Sequence, residues 1–140
     1  MKISVCMASY NGSKFIKNQI TSILSQLAKS DQLVIVDDCS FDNTVNIIES
    51  IKDPRIKLFK NIKNIGVVGT FNRALKIAKG DIILLSDQDD DWLENKVSFV
   101  RNFFLSNKID LLVHDAKIKQ GGSIVTNSLF EKIGSSSGLF

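Results

Sequence analysis

Four carboxylates crowd five positions at Asp87-Gln88-Asp89-Asp90-Asp91, directly after the apolar run Ile82 to Leu85 and just before Trp92. Repulsion within such a cluster makes folding costly unless something neutralises it, and a hard divalent cation does so. Mg²⁺ is usually held by one or two carboxylates plus substrate phosphates, so this turn suits a metal that also grips a diphosphate. A second reading stays open, because acids also favour the first turn of a following helix. That reading accounts for Asp90 and Asp91 but leaves Asp87 and Asp89 unexplained.

Other polar residues fall at the ends of other apolar runs. Asp37-Asp38 closes Leu33 to Val36, where a carboxylate can accept from a ribose hydroxyl or a base N–H, or can simply form an Asx turn. Ser9-Tyr10-Asn11 follows Ile3 to Met7 and offers an aromatic face for stacking on a base, Tyr10 being the one tyrosine of the chain; a half-buried turn aromatic is the plainer reading. Gly66, after Asn64-Ile65, suits a positive φ or a close ligand approach. Asn72 and Arg73 could meet a base edge or a phosphate, although an exposed helical Arg is usually just solvated. His114-Asp115 closes the run Leu111 to Val113, and the single histidine reads as a structural residue sooner than as a metal ligand. Cys6 and Cys39 lie far apart without CxxC spacing, which fits a reduced, cytoplasmic protein, and the acids beside Cys39 argue against a reactive thiolate.

The elements that must position these groups follow from hydrophobic periodicity. Ile3 to Met7, Leu33 to Val36, Ile56 to Phe59, Ile82 to Leu85 and Leu111 to Val113 read as five short buried strands. Between them run amphipathic segments: one opening at Ser13 with Ile16, Ile20, Ile23, Leu24 and Leu27 on one face, and one capped by Asp42 with Val45, Ile48 and Ile51. The third spans Val67 to Lys79, with Phe71, Leu75 and Ala78 inward and Gly80 at C′, and the fourth carries Val97, Val100, Phe103 and Phe104. Strand and helix alternate, so the expected fold is α/β: a Rossmann-like three-layer α/β/α arrangement around a mostly parallel sheet, with ligands outside the carboxyl ends of its strands. After Asp115 the pattern weakens to a turn at Gly121-Gly122, a short edge strand at Ile124-Val125 and an irregular Ser135 to Gly138. The chain thus reads as a C-terminally truncated fold, with residues 1–115 as one part and 116–140 as the start of another.

Composition narrows the function classes. The chain has 140 residues, 44% apolar and 24% charged, with a net charge of +3, which describes one globular domain. Its basic residues are scattered, giving no nucleic-acid footprint. No apolar run approaches the ~20 residues of a membrane span, and no signal peptide is evident. The chain contains neither GxxxxGK[ST] nor GxGxxG, so P-loop and dinucleotide readings lose their main support.

Taken together, Ser4 to Gly12, Val36 to Thr44, Asn64-Ile65-Gly66, Asn72-Arg73-Ala74, Gly80-Asp81 and Leu85 to Trp92 resemble, in order and spacing, the nucleotide-binding half of a family 2 glycosyltransferase of GT-A fold. The Ser-Asp-Gln-Asp-Asp form is similar to the bacterial rhamnosyltransferase-like branch of cell-surface polysaccharide synthesis. The resemblance implies transfer of a sugar, with inversion, from a nucleotide-diphosphate donor, UDP- or dTDP-linked by family habit, to a saccharide or lipid-linked acceptor hydroxyl. It implies a nucleotide-sugar site of Ala8, Ser9, Tyr10, Asp38, Gly66, Asn72, Arg73, Asp87 and Gln88, with Asp38 on the base ring. Asp87 and Asp89 match the DxD pair, Asp87 nearer the ribose and Asp89 on Mn²⁺ or Mg²⁺. The catalytic base and the acceptor site are expected beyond Phe140, and the protein is expected in the cytoplasm, peripheral to the inner face of the membrane, with self-association through uncovered apolar surface. Two alternatives compete. One is a nucleotide-sugar-binding fragment without turnover. The other is a haloacid-dehalogenase-like phosphatase with Asp87 as nucleophile, which leaves Tyr10 and Asp38 idle and expects its DxD strand early in the domain.

Overall fold

The first four apolar runs form the strands of one sheet in the computed structural model, which describes residues 1–133. These are β1 (Ile3–Ser9), β2 (Gln32–Asp37), β3 (Ile56–Lys60) and β4 (Ile82–Ser86), all parallel, in the order β3-β2-β1-β4. The central pair is buried on both faces, so β1 and β2 read as continuous apolar runs without alternation. Helices α1 (Ile16–Leu24), α2 (Thr44–Ser50), α3 (Gly66–Ile77) and α4 (Lys96–Ser106) alternate with the strands and flank the sheet.

One face of the sheet presents Cys6, Val34 and Val36, which pack with Ala74 of α3 against Phe59, Ile77 and Ala78. The helix therefore turns Thr70 and Ala74 inward, while Phe71 is half-buried and Leu75 is exposed. This corrects the expected inward set of Phe71 and Leu75. Small side chains let a helix approach a sheet closely, and a count of large apolar residues misses that. On the opposite face Ile3, Val5, Met7, Leu33 and Ile35 are fully buried, and α1 adds Ile16, Ile20 and Ile23.

Gly80 is not a left-handed C′ residue, since its φ is not among the positive values; the residue after the last turn of α3 is Ala78. Gly80 is needed because a Cβ there would lie 2.5 Å from the Ser4 backbone nitrogen. Its N–H donates to Ser4 Oγ at 2.7 Å, and Gln32 Nε2 donates to the same hydroxyl at 2.9 Å, joining the starts of three strands. Asp42 acts two residues before α2, accepting from Thr44 N at 2.9 Å and from Ser13 N at 3.1 Å, although Asn43 occupies the N-cap position itself.

A second compact unit begins at Lys108. The fifth parallel strand expected at Leu111 to Val113 does not form: the segment has no regular structure, and Leu111 and Val113 are exposed. Three apolar residues between polar neighbours gave too short a pattern to distinguish a strand from a loop. The unit instead holds an antiparallel hairpin of β5 (Ile118–Gln120) and β6 (Ser123–Thr126), turned by Gly121 and Gly122 at φ +57° and +85°. Both central φ values are positive, as a two-residue hairpin turn of type I′ requires. A short helix, α5 (Leu129–Lys132), is capped by Ser128, which accepts from Glu131 N. The irregular stretch expected at Ser135 to Gly138 lies outside the described residues. Among the described residues no helix is long and apolar enough to cross a membrane.

Candidate functional site

Parallel strands bring the polar ends of β1, β2 and β4 to one edge of the sheet. There they enclose a cavity of about 440 Å³ lined by Ala8, Ser9, Tyr10, Asp38, Asn64, Gly66, Val67, Thr70, Asp87, Gln88 and Asp89. The structure thus gathers eight of the residues expected at the site. Asn72 and Arg73 do not line it: Asn72 is exposed, and Arg73 Nη1 donates to Lys60 O at 2.8 Å and to Asn61 Oδ1 at 2.5 Å. The guanidinium fastens α3 to the end of β3.

Asp37 and Asp38 are adjacent and do different work. Asp37 is buried and accepts from Ser9 Oγ at 3.0 Å, Ser40 Oγ at 2.6 Å and Ser40 N at 2.9 Å, so it braces the ends of β1 and β2. Asp38 Oδ1 accepts from Asn61 Nδ2 at 2.7 Å and Ile65 N at 2.9 Å, and Oδ2 from Gly66 N at 2.8 Å. Burial opposes its charge, but the bonds from Asn61, Ile65, Gly66 and Thr70 outweigh it and hold the carboxyl below the ordinary aspartate range. The roughly four acceptor sites of a carboxylate are thereby taken by the chain. Asp38 is first of all the residue that shapes the start of α3, where Gly66 adopts φ +78°.

The acidic turn is held from two sides. Below it, Gln19 is buried on the apolar face of α1 and reaches Ser86 at 2.7 Å. With its amide oxygen toward Ser86 Oγ and Trp92 Nε1 and its nitrogen toward the Asp90 carbonyl, every polar atom of that side chain is satisfied. Across the cavity, Gln88 Oε1 accepts from Tyr10 N and Gln88 Nε2 donates to Tyr10 O, each at 3.0 Å. Tyr10 is 43% exposed, and its ring meets Phe41 edge-on at 6.2 Å.

Partial desolvation, then the charges of Asp90 and Asp89, raise the Asp87 carboxyl above its ordinary range. None of the described residues lining the cavity is Lys or Arg. An anion entering beside Asp87 and Asp89 would therefore be repelled unless a cation came with it. Among the described residues no three His, Cys, Asp or Glu side chains converge into a complete metal cage. The donor set fits a hard divalent ion held by two carboxylates and completed by ligand oxygens and water.

Sequence reasoning did not select Asn64, Val67, Thr70 or Gln19. Thr70 and Gln19 had a signal: each is a polar residue on the inward face of its helix, Gln19 three positions after Ile16. Cys6 is buried, which pushes its thiol up to about 11, and Cys39 is exposed with φ +65°. His114 is exposed in the second unit, its Nδ1 3.2 Å from Asp115 O.

The sequence profile of Glycosyl transferase family 2 matches residues 4–128. The chain belongs to that family. A relative in Escherichia coli, named UDP-Glc:alpha-D-GlcNAc-diphosphoundecaprenol beta-1,3-glucosyltransferase WfgD, is 37% identical over 123 residues, covering 88% of this chain and 49% of the relative. The crystal structure of Staphylococcus aureus TarS 1-349 in complex with UDP-GlcNAc superposes with a TM-score of 0.71 at 32% identity, over 76% of this chain and 32% of that one. A Pyrobaculum calidifontis mannosyltransferase in complex with GDP-Man and Mn²⁺ shares the fold, with a TM-score of 0.67 at 23% identity over 76% of this chain and 32% of that one. This family 2 chain has the GT-A type of sheet with flanking helices, and it spans about half the length of the curated relatives it matches, 49% and 43% of the first two.

Proposed function

We propose that this family 2 chain is the donor-binding part of a glycosyltransferase of cell-surface polysaccharide synthesis, which takes a nucleotide-diphosphate sugar and delivers the sugar to an acceptor hydroxyl. The observation that carries the reading is the cavity at the strand ends, with a half-exposed tyrosine face on one side and Asp87 and Asp89 on another. The base stacks on Tyr10, beside the Gly66 turn that Asp38 holds in place. Gly66 gives the ribose a close approach to the backbone. Asp87 and Asp89 hold a divalent cation, Mn²⁺ or Mg²⁺. When bound, that cation neutralises charge growing on the departing nucleoside diphosphate.

In the transfer, the acceptor oxygen forms a bond to the anomeric carbon as the bond from that carbon to the diphosphate breaks, inverting the configuration. The hydroxyl proton leaves to a general base, and the nucleoside diphosphate departs with the electron pair. This chain's residues bind and orient the donor; the base and the acceptor site belong to the part of the enzyme that this chain does not cover. UDP is the favoured nucleotide, supported by the TarS complex and by the donor in the name of the Escherichia coli relative. That name also gives a diphosphoundecaprenol-linked acceptor, which supports a lipid-linked acceptor and action at a membrane surface.

Calorimetric titration with UDP, dTDP and GDP, with and without Mn²⁺, on the parent and on Asp89→Ala tests the reading. Metal-dependent binding of one nucleotide, lost in the variant, is the expected result. Binding of no nucleotide under any condition overturns it, and hydrolysis of a generic phosphomonoester would favour the phosphatase alternative.

A further inference from the structure

The Gln88 side chain lies in a turn whose neighbours are all carboxylates, yet its amide faces none of them. Both of its ends are used on the backbone of one residue, Tyr10, 78 positions earlier. The amide presents an acceptor to Tyr10 N–H and a donor to Tyr10 C=O, as a peptide group would in a strand pair. No other side chain can make that pair at the same reach. Asn is one methylene shorter, Glu accepts but does not donate when ionised, and Lys only donates.

Room for the amide comes from Gly12. A Cβ on Gly12 would overlap the Gln88 amide oxygen and carbon. Gly12 is itself fixed: its N–H donates to Thr44 Oγ1 at 2.8 Å, and its carbonyl accepts from Phe15 N and Ile16 N at 2.9 Å each. It has no positive φ to explain it. The demand for glycine here is one of space, and the group occupying that space is the Gln88 amide.

We infer that Gln88 is a positioning residue: its amide, seated over Gly12, ties the Asp87–Asp89 turn to the Tyr10 turn and sets the spacing between the stacking ring and the carboxylates. The inference rests on the donor-site reading and adds a rule to it. A ligand that spans both turns depends on the tie, whereas one that touches a single turn does not.

The probes are UDP, uridine and inorganic pyrophosphate, titrated in the presence of Mn²⁺ against the parent chain and Gln88→Met, which keeps the length and volume of the side chain and removes both hydrogen bonds. UDP affinity is expected to fall about ten-fold, the scale of one or two hydrogen bonds. Uridine and pyrophosphate are expected to bind as to the parent. Gly12→Ala, and the double variant Gly12→Ala with Gln88→Met, are expected to lose no more UDP affinity than Gln88→Met alone, because each breaks the same tie. Tyr10 amide exchange, read by NMR without any nucleotide, is expected to be protected in the parent and about ten-fold faster in Gln88→Met.

Unchanged exchange overturns the tie itself. Faster exchange with unchanged UDP affinity overturns its role in spacing, and so does an equal loss for uridine, which would mean that the Tyr10 turn had merely collapsed. A parent chain that binds none of the three probes overturns the donor-site reading and leaves the tie to be judged on the exchange data. If Gly12→Ala fails to fold, Gln88→Met alone still decides.

Discussion

Asp38→Asn is the substitution whose cost the geometry defines best. One amide oxygen can keep the bonds now made by Oδ1, from Asn61 Nδ2 and Ile65 N. The amide NH₂ then faces Gly66 N–H, donor against donor, where Oδ2 now accepts at 2.8 Å. A hydrogen bond to a charged group contributes about 1.5–3 kcal/mol, and the exposed Gly66 N–H keeps a second acceptor, Asn64 Oδ1 at 3.2 Å. Burying a neutral amide in place of a carboxylate returns part of this, so the net loss is about 2 kcal/mol. For a domain of this length that lowers the melting temperature by roughly 6 °C. Urea unfolding followed by far-UV circular dichroism at neutral pH measures it, and a loss under about 1 kcal/mol would refute the view that Asp38 organises the start of α3. Acid supplies a control. The Asp38 pKa is depressed in the folded chain, so its contribution is complete above the unfolded value of about 4 and is lost as pH falls below it. Asp38→Asn has no such contribution to lose, and the stabilities of the two proteins should converge below about pH 4.

Asp87→Asn should act in opposite directions on stability and binding. The folded-state pKa of Asp87 is raised, so its ionised form costs stability at neutral pH and the variant should melt no lower than the parent, while Mn²⁺-dependent UDP affinity falls about ten-fold or more; paired melting curves and calorimetry check both. Gly80→Ala puts a methyl group 2.5 Å from Ser4 N and 2.8 Å from the Ile3 carbonyl carbon, and overpacking against backbone should cost about 2–3 kcal/mol in urea unfolding. Asp42, bonded to Thr44 and Ser13, has its pKa lowered to about 2, so Asp42→Ala should lose about 1–2 kcal/mol at neutral pH and nearly nothing near pH 2, as an acid titration of stability would show.

The sheet was legible because β1, β2 and β4 are short apolar runs closed by polar turns, and parallel pairing then puts those turns on one edge. That reasoning reached Tyr10, Asp38, Asp87 and Asp89 without knowledge of a contact. It failed where the physics is pairwise. Nothing in the Asp37-Asp38 dipeptide tells which carboxylate braces β1 and which receives Ile65 and Gly66; only the partners decide. The direction of the Gln88 amide depends on Tyr10, and Arg73 looked available for a ligand until Lys60 O and Asn61 came within its reach. The inward face of α3 was misread because its residues, Thr70 and Ala74, are not hydrophobic enough to mark it.

The two halves of the cavity wall are also far apart in time. Ser9 and Asp37, which link β1 to β2, are 28 positions apart, whereas Tyr10 and Gln88 are 78 apart. Closing the longer loop sacrifices more chain entropy, and contacts of large sequence separation slow folding. During synthesis the first three strands can associate well before the acidic turn exists. The acidic turn reaches the rest of the cavity wall through the pairing of β4 beside β1. A nucleotide that binds should slow unfolding both at the β1–β4 seam and at the end of β2, where Asp38 lines the same cavity.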